Sequence, residues 1–149
     1  MRGALVLLVV IAAAAPARAD LAVGDRVVAT WKDGGYYAGV ATALDRRTVT
    51  VAWSDGDAPS TTPRGHVFAI PPPARRRLAP RTWGVCAWTK ATTWYDCRVV
   101  RADDAGVTVR YRDGTTRTVG YDEIVVPTGA AARELARRVA SDRRRRPRR

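Results

Sequence analysis

Apolar side chains recur at every second position through Thr48–Trp53, where Val49, Val51 and Trp53 alternate with Thr48, Thr50 and Ala52. A period of two places them on one face of a β-strand. The same alternation returns at Val107, Val109 and Tyr111. Weaker patterns predict strands over Val27–Trp31 and Tyr37–Leu44, and short ones over Thr61–Thr62, Val67–Ile70, Thr115–Val119 and Ile124–Val126. Asp33-Gly34-Gly35 reads as a turn, and Asp55-Gly56 and Asp113-Gly114 read as tight hairpins, because glycine accepts the positive φ such turns need.

These patterns belong to one unit written twice. Tyr36–Asp45 aligns without a gap over Trp94–Asp103 at an offset of 58, and Val49–Gly56 over Val107–Gly114 at the same offset. Trp31 falls over Trp88 at 57, so the second copy carries one extra loop residue. Five short strands in about 50 residues predict a small, strongly bent barrel, since a flat sheet of that size does not bury its apolar face. The expected fold class is therefore all-β: two small five-stranded barrels in tandem, over residues 20–70 and 82–127. Each core is small, and packing of the copies on each other adds to it. Residues 71–81, opening with Pro71-Pro72-Pro73, read as a stiff extended linker.

The chain ends change the picture of where the protein works. Arg2, the apolar run Ala4–Ala15 and Ala17-Arg18-Ala19 form the three-part pattern of a secretory signal peptide over residues 1–19. As a helix that run spans about 18 Å, against roughly 30 Å of hydrocarbon, which is short for the competing reading of an uncleaved anchor. The expectation is an exported chain, periplasmic or secreted, cleaved near Ala19 and starting at Asp20. At the other end, over residues 128–149, Thr128 is placed to cap a helix across Ala130–Ser141, with Ala131, Leu135 and Val139 on one face. Arg143, Arg144, Arg145, Arg146, Arg148 and Arg149 then form a self-repelling run expected to be disordered.

The formal net charge of +12 is uneven. The two barrel segments are near neutral, at −1 and 0, while the linker carries +4 and the C-terminal segment +7. Excess charge in a linker and tail points to anion binding there rather than to a basic surface throughout. Nucleic acid, lipid headgroups and acidic envelope polymers all fit such a tail by counterion release, as does a purely solubilising role.

Catalysis has little to draw on. His66 is the only histidine, and there is no glycine-rich phosphate loop, nucleophile elbow or zinc-ligand set. No enzyme, cofactor or metal is expected. Cys86 and Cys97 are the only cysteines. With a loop over Lys90–Thr93, positions adding to 183 lie opposite, so Trp88 faces Tyr95 and Cys86 faces Cys97. Opposed Cβ atoms lie about 4.5–5.5 Å apart, which together with an oxidising compartment predicts a disulfide.

Gly24-Asp25-Arg26-Val27, Trp31, Gly35, Tyr36-Tyr37, Gly39-Val40, Val49–Trp53 and Asp55-Gly56-Asp57 resemble Tudor and agenet-type domains, and residues 82–127 do so more loosely. Those are SH3-like barrels, often in tandem. The resemblance implies an aromatic cage that takes up methylated lysine or arginine by cation–π attraction. By position its walls are Trp31, Tyr37 and Trp53 in the first copy and Trp88, Tyr95 and Tyr111 in the second, with carboxylates from Asp55 or Asp57 and from Asp113. The fourth aromatic usual after the third strand is replaced by Asp55-Gly56-Asp57 and Asp113-Gly114-Thr115. The same six rings also suit a plain barrel core. Three functions follow: a non-catalytic binder of a cationic or peptide ligand with an anion-binding tail, a peptidoglycan-binding envelope module, or an electrostatic adaptor acting through the tail alone.

Overall fold

A computed structural model describes residues 20–88 and 92–145, with side chains through Ser141. Residues 1–19, where a signal peptide is expected, and Arg146, Arg148 and Arg149 lie outside the described residues, as do the side chains of Arg143, Arg144 and Arg145. The first copy contributes β1 (Arg26–Thr30), β2 (Tyr36–Leu44), β3 (Thr48–Trp53), β4 (Ser60–Pro63) and β5 (Val67–Ala69). The second contributes β6 (Trp83–Ala87), β7 (Thr93–Asp103), β8 (Gly106–Tyr111), β9 (Thr116–Val119) and β10 (Ile124–Val125), and α1 (Gly129–Arg145) closes the chain.

Both copies are wired alike. Four strands pair antiparallel in chain order, and the fifth returns to the first: β5 to β1, and β10 to β6. A single 3-10 turn, Arg64–His66 or Tyr121–Glu123, precedes each returning strand. The long second strand bends at the same place in each copy. Pairing slips between Ala41 and Ala43 in β2, and between Val99 and Arg101 in β7. A bulge of this kind sharpens the coil of a strand, so that one strand serves two walls of a barrel. Tight curvature also forces backbones together. A Cβ on Gly39 would lie 2.5 Å from Val51 Cγ1 and 2.6 Å from the Ala52 carbonyl oxygen. Gly39→Ala is therefore expected to destabilise the first barrel by about 1–3 kcal/mol, read from urea unfolding.

The cores are three. Val27, Ala29, Ala41, Val49, Val51 and Trp53 fill the first barrel. Cys86, Cys97, Val99, Val107, Val109 and Tyr111 belong to the core of the second. Val28, Tyr36, Ala38, Val85, Trp94 and Val125 belong to a third core that joins the barrels. Val27, Val28 and Ala29 are consecutive and all fully buried, because β1 is covered on both faces. The barrels meet through β2 and β7, where Tyr36 lies opposite Trp94. These two residues are repeat counterparts, and a residue facing its own counterpart across antiparallel strands is the mark of a local two-fold axis. The ten strands thus form one sheet.

The cysteines are bonded, with Cα atoms 5.8 Å apart, but not as directly opposed residues. Cys86 faces Tyr95, and Gly84 faces Cys97. The register is slipped by two from the expected one, since Ala87 pairs with Trp94 and the extra residue of the second copy is taken up in the loop. A slip of two keeps every side chain on its face, so both sulfurs still point into the same core. Strand twist draws the diagonal pair within disulfide range.

The linker is tied down. The Arg76 guanidinium donates to the carbonyls of Tyr121 and Ile124 and lies 5.9 Å from the Tyr121 ring centre. Burial holds its pKa below the ordinary arginine value, against the opposing pull of Tyr121 and Asp122. Arg75 pairs with Asp104. Helix α1 buries Ala131, Leu135 and Val139 and packs on the turn Arg64–His66. His66 Nε2 lies 3.7 Å from Glu134 there. The helix runs on through Arg145, where the charge run alone had predicted disorder; a docked apolar face outweighs the repulsion over that turn.

Candidate functional site

The turn between β1 and β2 and the turn after β3 converge at one end of the first barrel. Trp31 leaves the end of β1, Tyr37 sits at the start of β2 and Trp53 ends β3. Trp31 and Trp53 meet edge to face, with ring centres 4.9 Å apart at 84°. The two rings and Tyr37 line a cavity of about 180 Å³ together with Asp33, Asp55 and Asp57. Trp53 is 94% buried and serves the core as well, so the rings act as both cage and packing. Its Nε1 donates to Ser60 Oγ at 3.0 Å, which fixes the ring plane.

Asp33 was legible only as a turn residue, yet it organises this wall. Its Oδ1 accepts from the Gly35 amide and its Oδ2 from the Tyr37 hydroxyl, each at 2.8 Å. Those bonds, the Gly35 amide first, hold the Asp33 carboxyl below its ordinary pKa, and the Tyr37 phenol is raised chiefly by the same contact. The cavity thus combines three π faces with three carboxylates, an arrangement suited to a cation.

In the second barrel Trp88, Tyr95, Tyr111 and Asp113 also come together, along a groove of about 570 Å³. Trp88 meets Tyr111 edge to face at 4.9 Å and 86°, and Tyr95 at 6.1 Å and 90°. Tyr111 is buried, and its hydroxyl donates to the Ala87 carbonyl; Tyr95 is half exposed. An arginine packs against this cluster. The Arg117 guanidinium lies 5.2 Å from the Trp88 ring centre, and its Nη1 is shut off from solvent with no hydrogen-bond acceptor of good geometry. Burial raises the Tyr111 pKa, with Arg117 the largest opposing influence.

Tyr37 also lines the groove, so the two cavities share a wall. Arg138 of α1 crosses the junction. It donates to the Gly34 carbonyl at 3.2 Å and the Tyr36 hydroxyl at 2.6 Å, and its Nε lies 3.5 Å from Asp96. Asp96, 5% exposed, also accepts from Arg112 at 3.0 Å. Helix and both barrels are thereby locked by one buried carboxylate.

Two five-stranded barrels of one wiring, each ending in an aromatic cage, decide the architecture. The fold is that of tandem Tudor-like domains. No family model matches the sequence, and no curated protein matches it. Among solved structures, this Tudor-like pair is similar to the crystal structure of Arabidopsis thaliana AGDP1 AGD34, at 15% identity and a TM-score of 0.42, covering 71% of this chain and 82% of that one. It is also similar to the ADCP1 tandem Agenet domain 3-4, at 15% identity and a TM-score of 0.38, covering 71% and 79%. The Tudor-like reading of the fold rests on the strand order and register, not on these distant likenesses.

Ser60, Arg117 and Arg138 had no place among the residues picked out from sequence. Arg117 was hidden by the turns. The first copy has an extra residue after Asp55-Gly56, so the offset falls to 57 in the fourth strand, and an ungapped alignment sets Arg117 over Pro59 instead of Ser60.

Proposed function

We propose that this is an exported, non-catalytic binding protein that captures a cationic side chain of a protein or peptide in the cage of the first barrel. One observation carries the reading: Trp31, Tyr37 and Trp53 enclose about 180 Å³ together with Asp33, Asp55 and Asp57. A cation entering there exchanges water for three ring faces and for carboxylates on turns already set by backbone bonds. Each ring contact contributes on the order of 0.5–2 kcal/mol, which places a single site in the millimolar to high-micromolar range. The adjoining groove, with Tyr37 as common wall, offers a track for the flanking peptide. The arginine-rich tail adds a salt-sensitive attraction to anionic polymers.

Tryptophan fluorescence tests this directly. Titration of the intact protein with trimethyllysine and methylarginine peptides is expected to saturate, and Trp31→Ala to weaken binding at least tenfold with the circular dichroism spectrum retained. The contribution of Asp33 should persist on acidification past the ordinary aspartate range of about 3.9, because its carboxyl is held below that value, and should be lost as pH falls through the lowered Asp33 value. Flat curves for every cation, with saturation by muropeptides instead, would replace a cation-binding function with an envelope one.

A further inference from the structure

The two cages differ at the fourth strand and in their carboxylates, and those differences point to a ligand. Val51 pairs with Ser60 in the first barrel, and its counterpart Val109 pairs with Arg117 in the second. Ser60 and Arg117 therefore stand at the same place against the same aromatic frame. The frames agree closely: Trp31 on Trp53 at 4.9 Å and 84°, Trp88 on Tyr111 at 4.9 Å and 86°. In the second barrel a plain guanidinium packs against this frame, 5.2 Å from the Trp88 ring centre. In the first, Ser60 stands in its place and accepts from Trp53 Nε1 at 3.0 Å. The cavity beside that first frame is lined by Asp33, Asp55 and Asp57, whereas the second copy has a single aspartate, Asp113, in its corresponding turn. Lys32 lies 5.0 Å from the Trp31 ring centre but does not line this cavity.

We propose that the first cage binds an unmodified arginine side chain presented by a partner peptide, its guanidinium against the aromatic frame as that of Arg117 is against Trp88. The inference rests on the cation-binding reading above and narrows it. A guanidinium is planar, lies flat on an indole and presents five N–H donors in a fork that matches carboxylates. Methylation keeps the charge but removes donors, and a quaternary ammonium has none, so neither uses the three aspartates fully.

The intact protein is titrated, by tryptophan fluorescence and by calorimetry, with three peptides of one sequence carrying arginine, citrulline or trimethyllysine at the central position. Arginine is expected to bind at least fivefold more tightly than trimethyllysine and at least tenfold more tightly than citrulline, with one site per chain. Ser60→Arg is expected to plug the first cage and weaken arginine binding at least tenfold. Arg117→Ser, which takes a guanidinium off Trp88 and leaves the first cage untouched, is expected to leave arginine binding unchanged. Trimethyllysine binding as well as arginine would overturn this inference while leaving a cation site standing; no binding by any of the three would remove both. A Ser60→Arg protein that folds and binds arginine undiminished would also overturn it, whether or not Arg117→Ser yields folded protein.

Discussion

Trp94→Ala is expected to cost about 3–5 kcal/mol, a large share of the 5–15 kcal/mol that holds a domain of this size together. Trp94 is 1% exposed and belongs to the core between the barrels rather than to either barrel's own. It lies on the local two-fold axis opposite Tyr36, and Val28 and Val85, themselves repeat counterparts, line the same core. Truncation leaves a cavity where neither barrel is free to collapse, since each is held by its own strand pairing. The loss should therefore appear as uncoupling. The parent protein is expected to unfold in one urea transition. The variant is expected to show two, with the disulfide-held second barrel persisting to higher urea. Trp94→Tyr, which copies the counterpart residue, should recover part of the loss. A single transition shifted by less than 1 kcal/mol would mean that the barrels do not depend on this contact.

Reduction of the Cys86–Cys97 bond is expected to lower stability by about 2–3 kcal/mol. The closed loop is short, with a sequence separation of 11, and the entropy removed from the unfolded chain by a loop of that size accounts for a figure of this order. Both cysteines are fully buried in the second barrel's core, so thiol reagents should act only when that barrel opens. The measurement is the urea midpoint with and without dithiothreitol, the slope remaining the same. A Cys86→Ala/Cys97→Ala double variant should match the reduced protein and be indifferent to reductant. An unchanged midpoint on full reduction would show that the barrel holds without its staple. The bond also fits the proposed export, because oxidising compartments preserve such links.

The two copies of the unit differ in what holds them and in what faces their aromatic clusters. The second copy has the disulfide, the clamp of Arg76 on the Tyr121 and Ile124 carbonyls, and Arg117 against Trp88. The first has Ser60 in place of the arginine and three aspartates at the rim. Arg138 fixes the second barrel's Asp96 to the first barrel's Gly34 and Tyr36. The turn that carries Asp33 is thereby steadied from the helix, one residue away from the carboxylate that orders Tyr37.

The sequence by itself determined the repeated unit, the all-β class and the residues of both cages. Those follow from local quantities: alternation along Val49, Val51 and Trp53, glycine where turns need positive φ at Gly56 and Gly114, and rings spaced to return to one end of a barrel. It also pointed to the cysteine pair, though through a register two residues away from the one that forms; the bond survived because an even slip leaves faces unchanged. Only the tertiary structure decided what meets across the repeat. Val27–Trp31 read only as a weak alternating strand, whereas Val27, Val28 and Ala29 are all buried because β1 is covered on both faces, and that cover depends on β2 meeting β7 at Tyr36 and Trp94. Which side chain of the fourth strand meets each aromatic frame was decided there too, and a single residue inserted in one turn was enough to move Ser60 and Arg117 out of visible alignment. Contacts between distant parts of a chain are set by register and turn length together, and periodicity reports neither.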